Sequence, residues 1–445
     1  MSRPRPKLRF FICSRDRPQA LGLCVESLSR SLREAAPEFS AHCYILDDST
    51  TPALSGEAHR RATAGASREL HLEIIDRARQ HAVYRKLTGL NLESCRLLRS
   101  TCRMLGQGPW DLAGVRNFAL LIAYCYSSDD DLIVFLDDDI LLTSSAYGGH
   151  FIEIDGASVI RQLLSSTPPG RLVASGTEYF GRFDGSILDH LRLLFDDLSN
   201  GCLLGLWEAE SRVQTTARLK QASLFPSTLP TRLALPGAPV LKHGPGISGA
   251  LLATTPAALF SHPLPRCYNE DWIWLSLLGR PGAAIRRVDP KALHAAPPQP
   301  PIESRFVAYQ NTGEVVYRAV RAVMNDAPSR CNALEWCENA ISVDHFLWAA
   351  DALVREIQSL LQTGAKIDNS LNGTGPLSGE PHLCASVRRA IRRIRRCGQD
   401  TLESVEAMDH AALHRWFRKY LRRVPVWRRL LQESREVLLT NARGS

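Results

Sequence analysis

The chain has 445 residues, 44% of them hydrophobic and 22% charged, with a formal net charge of +8. That length exceeds the roughly 250 to 300 residues at which a single core stops growing, so two domains are expected of an otherwise ordinary globular composition. No run approaches the roughly 18 uncharged apolar residues of a membrane span, and the apolar stretch before Ser14 and Arg15, about five residues, is too short for a signal-peptide core. The twelve cysteines occur singly, without C-x-x-C pairs or zinc-spaced Cys/His clusters, which fits buried thiols in a reducing compartment. A cytoplasmic protein is expected.

In chain order, "LRFFIC" (Leu8 to Cys13) reads as a first strand, followed by the loop "SRDRP". A helix from about Pro18 carries Leu21, Cys24, Val25, Leu28 and Leu32 at the 3.6-residue spacing of a buried stripe. "HCYILDDST" (His42 to Thr50) is a second strand ending in Asp47 and Asp48, and "LHLEIID" (Leu70 to Asp76) a third. The helix "AGVRNFALLIAYCYSS" (Ala113 to Ser128) leads into "LIVFLDDDILLT" (Leu132 to Thr143). That continuous apolar run, stopping at Asp137, Asp138 and Asp139, is the pattern of a central strand buried on both faces. Strands alternating with helices imply a mostly parallel sheet with right-handed crossovers.

Further along, "RLVASGTEYF" (Arg171 to Phe180) predicts a strand, and "PGISGALLATTPAAL" (Pro245 to Leu259) a glycine-rich approach to a short strand and a helix. "CYNEDWIWLSLLGR" (Cys267 to Arg280) predicts a helix opened by Asn269, Glu270 and Asp271 and apolar nearly all round, and "AAIRRVD" (Ala283 to Asp289) a last strand. "AAPPQPPIES" (Ala295 to Ser304) is the strongest linker signal, and helical patterns follow it, interrupted at "NSLNGTGPLSGEP". The expected domains are therefore residues 1–296 and 297–445. Residues 371–445 hold 15 Arg and Lys against 7 Asp and Glu, the whole of the formal excess. "SVRRAIRRIRRC" (Ser386 to Cys397) and "RWFRKYLRRVPVWRRLL" (Arg415 to Leu431) mix arginine with apolar residues at roughly helical spacing. They are either surfaces for an anionic membrane or partner, or the solvated face of an ordinary helical domain.

Three adjacent carboxylates repel one another unless a cation sits among them. A hard divalent ion is the simplest such cation, and a solvated acidic turn is the other reading. Beyond the carboxyl ends of strands in an open α/β sheet, such acids are well placed for chemistry.

Several spaced features together resemble the nucleotide-sugar-dependent glycosyltransferases of the GT-A fold, of the broad family 2 type, over about residues 7 to 296. "FFICSRDRP" resembles that family's opening strand and nucleotide loop, and "YILDDST" its second strand with "DDGS", although the glycine is missing. "GVRNFAL" resembles the "ARNxG" helix start, "FLDDDI" the DxD strand, and "NEDWIW" the "ED" catalytic motif. The resemblance implies an α/β, Rossmann-like GT-A domain, here with a C-terminal helical domain. It also implies transfer of a sugar from a UDP- or GDP-sugar to an acceptor hydroxyl, assisted by Mn²⁺ or Mg²⁺.

By that resemblance Asp137 and Asp139 are the outer members of D-x-D, with Asp139 the direct metal ligand, Asp137 nearer the ribose or sugar, and Asp138 able to displace either. Asp47 or Asp48 would bind the base or ribose, unless the pair forms an Asx-type turn. Arg116 would reach the nucleotide or its phosphates, or else be a surface arginine, and Ser14 and Arg15 would line the first loop. Asp271 is the expected general base, with Glu270 contacting acceptor or donor; the other reading is that both only cap the helix. Trp272 and Trp274 are expected in the core. His294 would be a further metal ligand or a structural histidine, and His243 is a weaker candidate. Gly246 and Gly249 would let the backbone approach the donor sugar, or simply make a turn.

A lone general base suits direct displacement with inversion. A haloacid-dehalogenase-type phosphatase is disfavoured because Leu141 stands where its motif wants Thr. A sugar nucleotidyltransferase wants a glycine-rich first loop, which "SRDRPQA" lacks, and no P-loop is present. The alternative kept is a non-catalytic, nucleotide-binding scaffold acting through its basic tail on a membrane, nucleic acid or protein partner. Nucleic acid is the least expected of these, and a peripheral position at the inner membrane face is the location that reading would add.

Overall fold

The computed structural model describes residues 7–35, 41–68, 70–108, 111–147, 150–168, 173–181, 249–278, 285–295, 304–328, 331–370, 392, 395–396 and 398–443. Strand β1 (Leu8–Ser14) is buried along its whole length and lies parallel to β2 (Ala41–Asp47) on one side and β4 (Leu132–Asp137) on the other. Beyond β2 comes β3 (Leu70–Ile75), also parallel. Beyond β4 the antiparallel β9 (Leu251–Thr254) joins it to β8 (Ala174–Gly181), which pairs in parallel with β10 (Ile285–His294). Short β5 (Ile140–Leu141) closes that edge antiparallel to β10, and β6 (Thr143–Tyr147) and β7 (His150–Asp155) form a separate hairpin.

Alternation along β1 sends its side chains to two cores. Phe10 and Ile12 pack with Leu21, Val25 and Leu28 of α1 (Pro18–Ala35) and with α2 (Pro52–Gly65) and α6 (Gly156–Ser166). Phe11 and Cys13 pack with Val115, Phe118 and Ala119 of α5 (Leu112–Tyr126), backed by α4 (Leu92–Thr101). The result is a mostly parallel sheet between two helical layers, as the alternation of strands and helices predicts. The stripe expected on α1 is buried as expected.

Helices α2 and α4, and α3 (Arg77–Lys86) between them, had no apolar period to announce them, and each begins at a side-chain cap. Thr51 accepts from Leu54 N (3.3 Å), Asp76 from Arg79 N (2.9 Å) and Asn91 from Ser94 N (2.9 Å). Asp76, expected to end the third strand, is thus the first cap of a helix. His294, expected after the last strand, is that strand's final residue.

Helices α7 (Pro256–Ser261) and α8 (Glu270–Leu278) complete the sheet-bearing region. Then follow α9 (Ser304–Asn325), α10 (Ala333–Ala340), α11 (Val343–Ser370), α12 (His410–Arg422) and α13 (Val424–Arg443). Their core includes Ile273 and Leu277 of α8. The last helix returns to the sheet layer: Trp427, Leu430 and Leu431 join Phe118 and Leu121 in one core, and Trp427 Nε1 donates to Leu259 O (3.2 Å). The apolar stripe of the stretch from Arg415 to Leu431 is therefore taken up in packing; Arg415, Arg422 and Arg429 are exposed, and Arg418, Arg423 and Arg428 are half-buried. The stretch from Ser386 to Cys397 lies almost wholly outside the described residues. Among the described residues no helix is long and apolar enough to cross a membrane.

Candidate active site

The chain leaves β1 for β2 and β3 and returns to β4 on β1's other side, so a topological switch point falls between β1 and β4. Crevices for ligands open beyond the carboxyl ends of strands at such a point. Register brings Ser14 level with Asp47 and Cys13 level with Asp137, so three strands end together.

Three groups of charged residues meet there. In the first, Ser14 Oγ donates to Asp138 Oδ2 (2.7 Å), and Arg17 Nη1 reaches Asp138 Oδ1 (3.3 Å) and Asp139 Oδ2 (2.6 Å). His294 Nε2 lies 3.1 Å from Asp139 Oδ1. The strand end is pinned by Asp137 N donating to Ala250 O (2.9 Å) and Ala295 N donating to Asp139 O (2.8 Å). Burial, together with the negative charge of Asp139, pushes the Asp138 carboxyl up to about 7. At Asp139 burial also works upward, but His294 and Arg17 outweigh it and hold the carboxyl below its ordinary value.

The second group surrounds Asp48, which has no exposed surface. Arg103 Nε (3.1 Å), Arg15 Nη1 (3.0 Å) and Gly106 N (2.7 Å) all donate to its carboxylate. Both arginines also donate to Gly108 O, at 2.9 Å from Arg15 and 3.0 Å from Arg103. Burial raises the Asp48 carboxyl despite these partners. Asp47 accepts from Ser49 N (3.0 Å), the Asx-type turn of the second reading, and also contacts Ser55 and His59. Asp48 N donates to Ser14 O (2.8 Å), tying this group to the first.

The third group is built on Arg116, 7% exposed at the start of α5. Its Nη1 donates to Glu270 Oε1 (2.9 Å) and its Nη2 to Asp137 Oδ1, so one guanidinium joins acids separated by the whole of the intervening fold. The neighbouring Asn117 exchanges hydrogen bonds with Leu264, donating to its carbonyl (2.9 Å) and accepting from its amide (2.7 Å), which aligns the approach to α8. Asp271, in the first turn of α8, accepts from Gly249 N (2.8 Å) and Trp272 N (2.9 Å). A Cβ at Gly249 would lie 2.2 Å from Asp271 Oδ2, so only glycine fits. Burial pushes the Glu270 carboxyl up to about 7, against the pull of Arg116, and raises that of Asp271 as well.

Ser14, Arg15, Asp47, Asp48, Asp137, Asp138, Asp139 and His294 thus gather at one end of the sheet, and Arg116, Glu270, Asp271 and Gly249 adjoin them. Asp139 and His294 touch, whereas Asp137 offers its Oδ1 to Arg116. Among the described residues no group of three or more His, Cys, Asp or Glu converges as a ready-made metal cage. Arg116, expected to reach phosphates, is buried between two acids, because each would otherwise be an uncompensated charge. Trp274 is fully buried, as expected of a core residue. Gly246 and His243 lie outside the described residues. Arg17, Arg103 and Asn117 were not anticipated; Arg17, in the loop beside Arg15, and Asn117, beside Arg116 in "GVRNFAL", had signals that could have pointed to them.

No protein-family model matches the chain, and no curated protein matches it. Among solved structures it is similar to a mannosyltransferase from Pyrobaculum calidifontis in complex with GDP-Man and Mn²⁺, at 12% identity and a TM-score of 0.37, over 87% of this chain and 86% of that one. It is similar also to glucosyl-3-phosphoglycerate synthase from Mycobacterium tuberculosis in complex with Mg²⁺ and UDP, at 15% identity and a TM-score of 0.34, over 70% and 77% of the two chains. The same enzyme in complex with Mn²⁺, UDP and phosphoglyceric acid matches at 14% identity and 0.34, over 73% and 80%. With superpositions this loose, the chemistry of the present chain is argued from its own residues.

Proposed function

We propose that the chain is a metal-assisted glycosyltransferase that moves a sugar from a nucleoside diphosphate sugar to an acceptor hydroxyl. The observation that carries this reading is the joining of two acid groups, one at the end of β4 and one at the start of α8, by the buried Arg116 at the switch point. Asp271 acts as general base: its carboxyl is raised by burial, which makes the ionised form more basic, and two backbone amides fix its direction. Proton removal lets the acceptor oxygen displace the nucleotide directly, with inversion at the sugar carbon. Glu270 is held against Arg116 and orients the acceptor or donor. Asp48 holds Arg15 and Arg103 in place, so that this loop edge, with Asp47, shapes the place for the base and ribose, while Ser14 braces Asp138.

A divalent Mn²⁺ or Mg²⁺ fits the donor chemistry here. Three carboxylates and an imidazole are the hard and borderline donors such ions take, and a cation would offset the burial and, second to it, the Asp139 charge that raise the Asp138 carboxyl. Asp139 and His294, with Asp137, would hold it. The ion when bound supplies Lewis-acid stabilisation of the leaving diphosphate. Arg17, with a side chain 37% exposed, is the counter-ion that a bound cation would displace from Asp139.

The non-catalytic scaffold acting through its tail is less well supported, because the apolar stripe between Arg415 and Leu431 packs against the protein itself. Calorimetric titration with UDP and GDP, with and without Mn²⁺, followed by assay of nucleotide-sugar hydrolysis, tests the reading. Mn²⁺-dependent nucleotide binding with release of sugar is expected. Binding of RNA or lipid vesicles with no response to nucleotide would sink it.

A further inference from the structure

The loop between β1 and α1 divides its arginines between two acid groups. Asp16 has a φ of 55°, in the left-handed region that aspartate tolerates better than most non-glycine residues. Its carboxylate accepts from Thr50 N (2.8 Å) and Thr50 Oγ1 (3.0 Å), which pins the turn to the segment after β2. The arginines on either side are thereby directed apart: Arg15 reaches Asp48 and Gly108 O, and Arg17 reaches Asp138 and Asp139. Arg17 O accepts from Leu21 N (3.0 Å) at the start of α1, so the main chain is held on both sides of Arg17 and movement is left to its side chain.

That side chain is the water-facing member of an otherwise buried cluster of Ser14, Asp138, Asp139 and His294. Asp139 meets His294 through Oδ1 and Arg17 through Oδ2, while Asp138 meets Arg17 through Oδ1 and Ser14 through Oδ2. One guanidinium nitrogen thus spans an oxygen of each acid. Among the described arginines that touch the acids of the site, Arg17 has the most exposed side chain, at 37% against 17% for Arg15, 9% for Arg116 and 7% for Arg103. A cation coming from water to Asp139 therefore meets Arg17 first, and two positive charges on the same oxygen repel. A partly exposed pair costs little to part, unlike the buried pairs of Arg116.

We infer that Arg17 has two stations: it neutralises Asp138 and Asp139 in the cation-free protein, and it moves to the diphosphate of the donor when Asp139 is given over to a divalent ion. The inference rests on the glycosyl-transfer reading and goes beyond it by giving the displaced guanidinium a ligand. Arginine stays charged at any working pH, so once displaced it needs water or another anion. Its planar fork of donors matches phosphate oxygens two at a time. The proposed reaction brings one such anion, the donor diphosphate, to the same rim. Arg17 thus opposes the ion alone and assists the nucleotide, so that ion and nucleotide each tighten the binding of the other by the same factor.

The test is calorimetric titration of the full chain, wild type and Arg17→Ala, first with Mn²⁺ alone and then with UDP or GDP at saturating Mn²⁺. Arg17→Ala should bind Mn²⁺ alone about tenfold more tightly than the wild type, and UDP or GDP about tenfold more weakly. Opposite signs are the signature, since a variant that merely disturbs the loop weakens both. Arg17→Gln, which loses the charge but keeps much of the length, should behave alike, and it carries the test if Arg17→Ala fails to fold. The inference is overturned if Mn²⁺ binds the variants no more tightly than the wild type, or if their nucleotide affinity is undiminished. If the wild type still binds UDP or GDP with Mn²⁺ in those cases, only the role of Arg17 falls; if it binds neither, the parent reading falls with it.

Discussion

Arg116 and Arg429 each pair with a carboxylate, yet they sit in opposite surroundings. Arg116 is buried on α5, where it bridges Asp137 and Glu270, the latter 154 positions further along the chain. Arg429 on α13 leaves half of its side chain in water and meets Glu93 at 3.0 Å, with Glu93 more exposed still. The tail holds all of the formal excess charge, whereas the electrically balanced first 370 residues hold the charges that matter to the candidate site. Water screens an exposed pair and leaves a buried one unscreened, so location rather than number sets the value of a charge.

That contrast can be broken or sharpened by measurement. The largest effect is expected from Asp271→Asn, which removes the proposed base; its single carbonyl oxygen can keep only one of the two backbone amide bonds that reach Asp271 Oδ1 and Oδ2. The rate of sugar transfer by the folded variant should fall about 10²- to 10⁴-fold, and an unaltered rate would remove Asp271 from the reaction. Next is Arg116→Ala, which strands two buried acids. Urea denaturation should show a loss of about 3–5 kcal/mol, and a loss under about 1 kcal/mol would mean that Arg116 is no different in kind from a tail arginine.

A smaller effect is expected from pH. Glu270 has a folded value of about 7 against an ordinary 4.5, so the folded state holds the proton more tightly. Stability contributed at this residue is therefore highest below the ordinary value and falls as pH rises through that window, by at most about 1.4 kcal/mol per pH unit. Asp138 has the same sign over a similar range, so the decisive measurement is the difference between the wild type and Glu270→Gln: the variant should lose part of the slope between those limits. The smallest change is expected from Arg429→Ala, at about 0–1 kcal/mol in the same denaturation assay, diminishing further at high salt.

Much of the sheet was legible because its strands are apolar runs that end in acids. β1, β2 and β4 had clear bounds, and the stripe on α1 had a clear period. Helix α3 was not legible, since only Gln80 of its ten residues is buried and no apolar period exists to find. Helix α2 buries only two alanines, and so it too passes without a signal. In the site, the acids could be named from their strand ends and from the opening of α8. Their cations could not. Arg103 looks like any arginine after a helix until the loop through Gly106 and Gly108, both at positive φ, folds it onto Asp48.

By itself the sequence determined β1, β2, β4 and the stripe of α1, the acids after β2 and β4, and the basic character of the tail, because hydrophobic period and local charge act over a few residues. Only the tertiary structure decided that Arg116 is paired with two acids, that His294 meets Asp139, and that the tail's apolar stripe is core. Each of these depends on contacts between segments far apart in the chain. Burial there sets both the cost of an unpaired charge and the protonation of the acids, and neither is a property of any short stretch of residues.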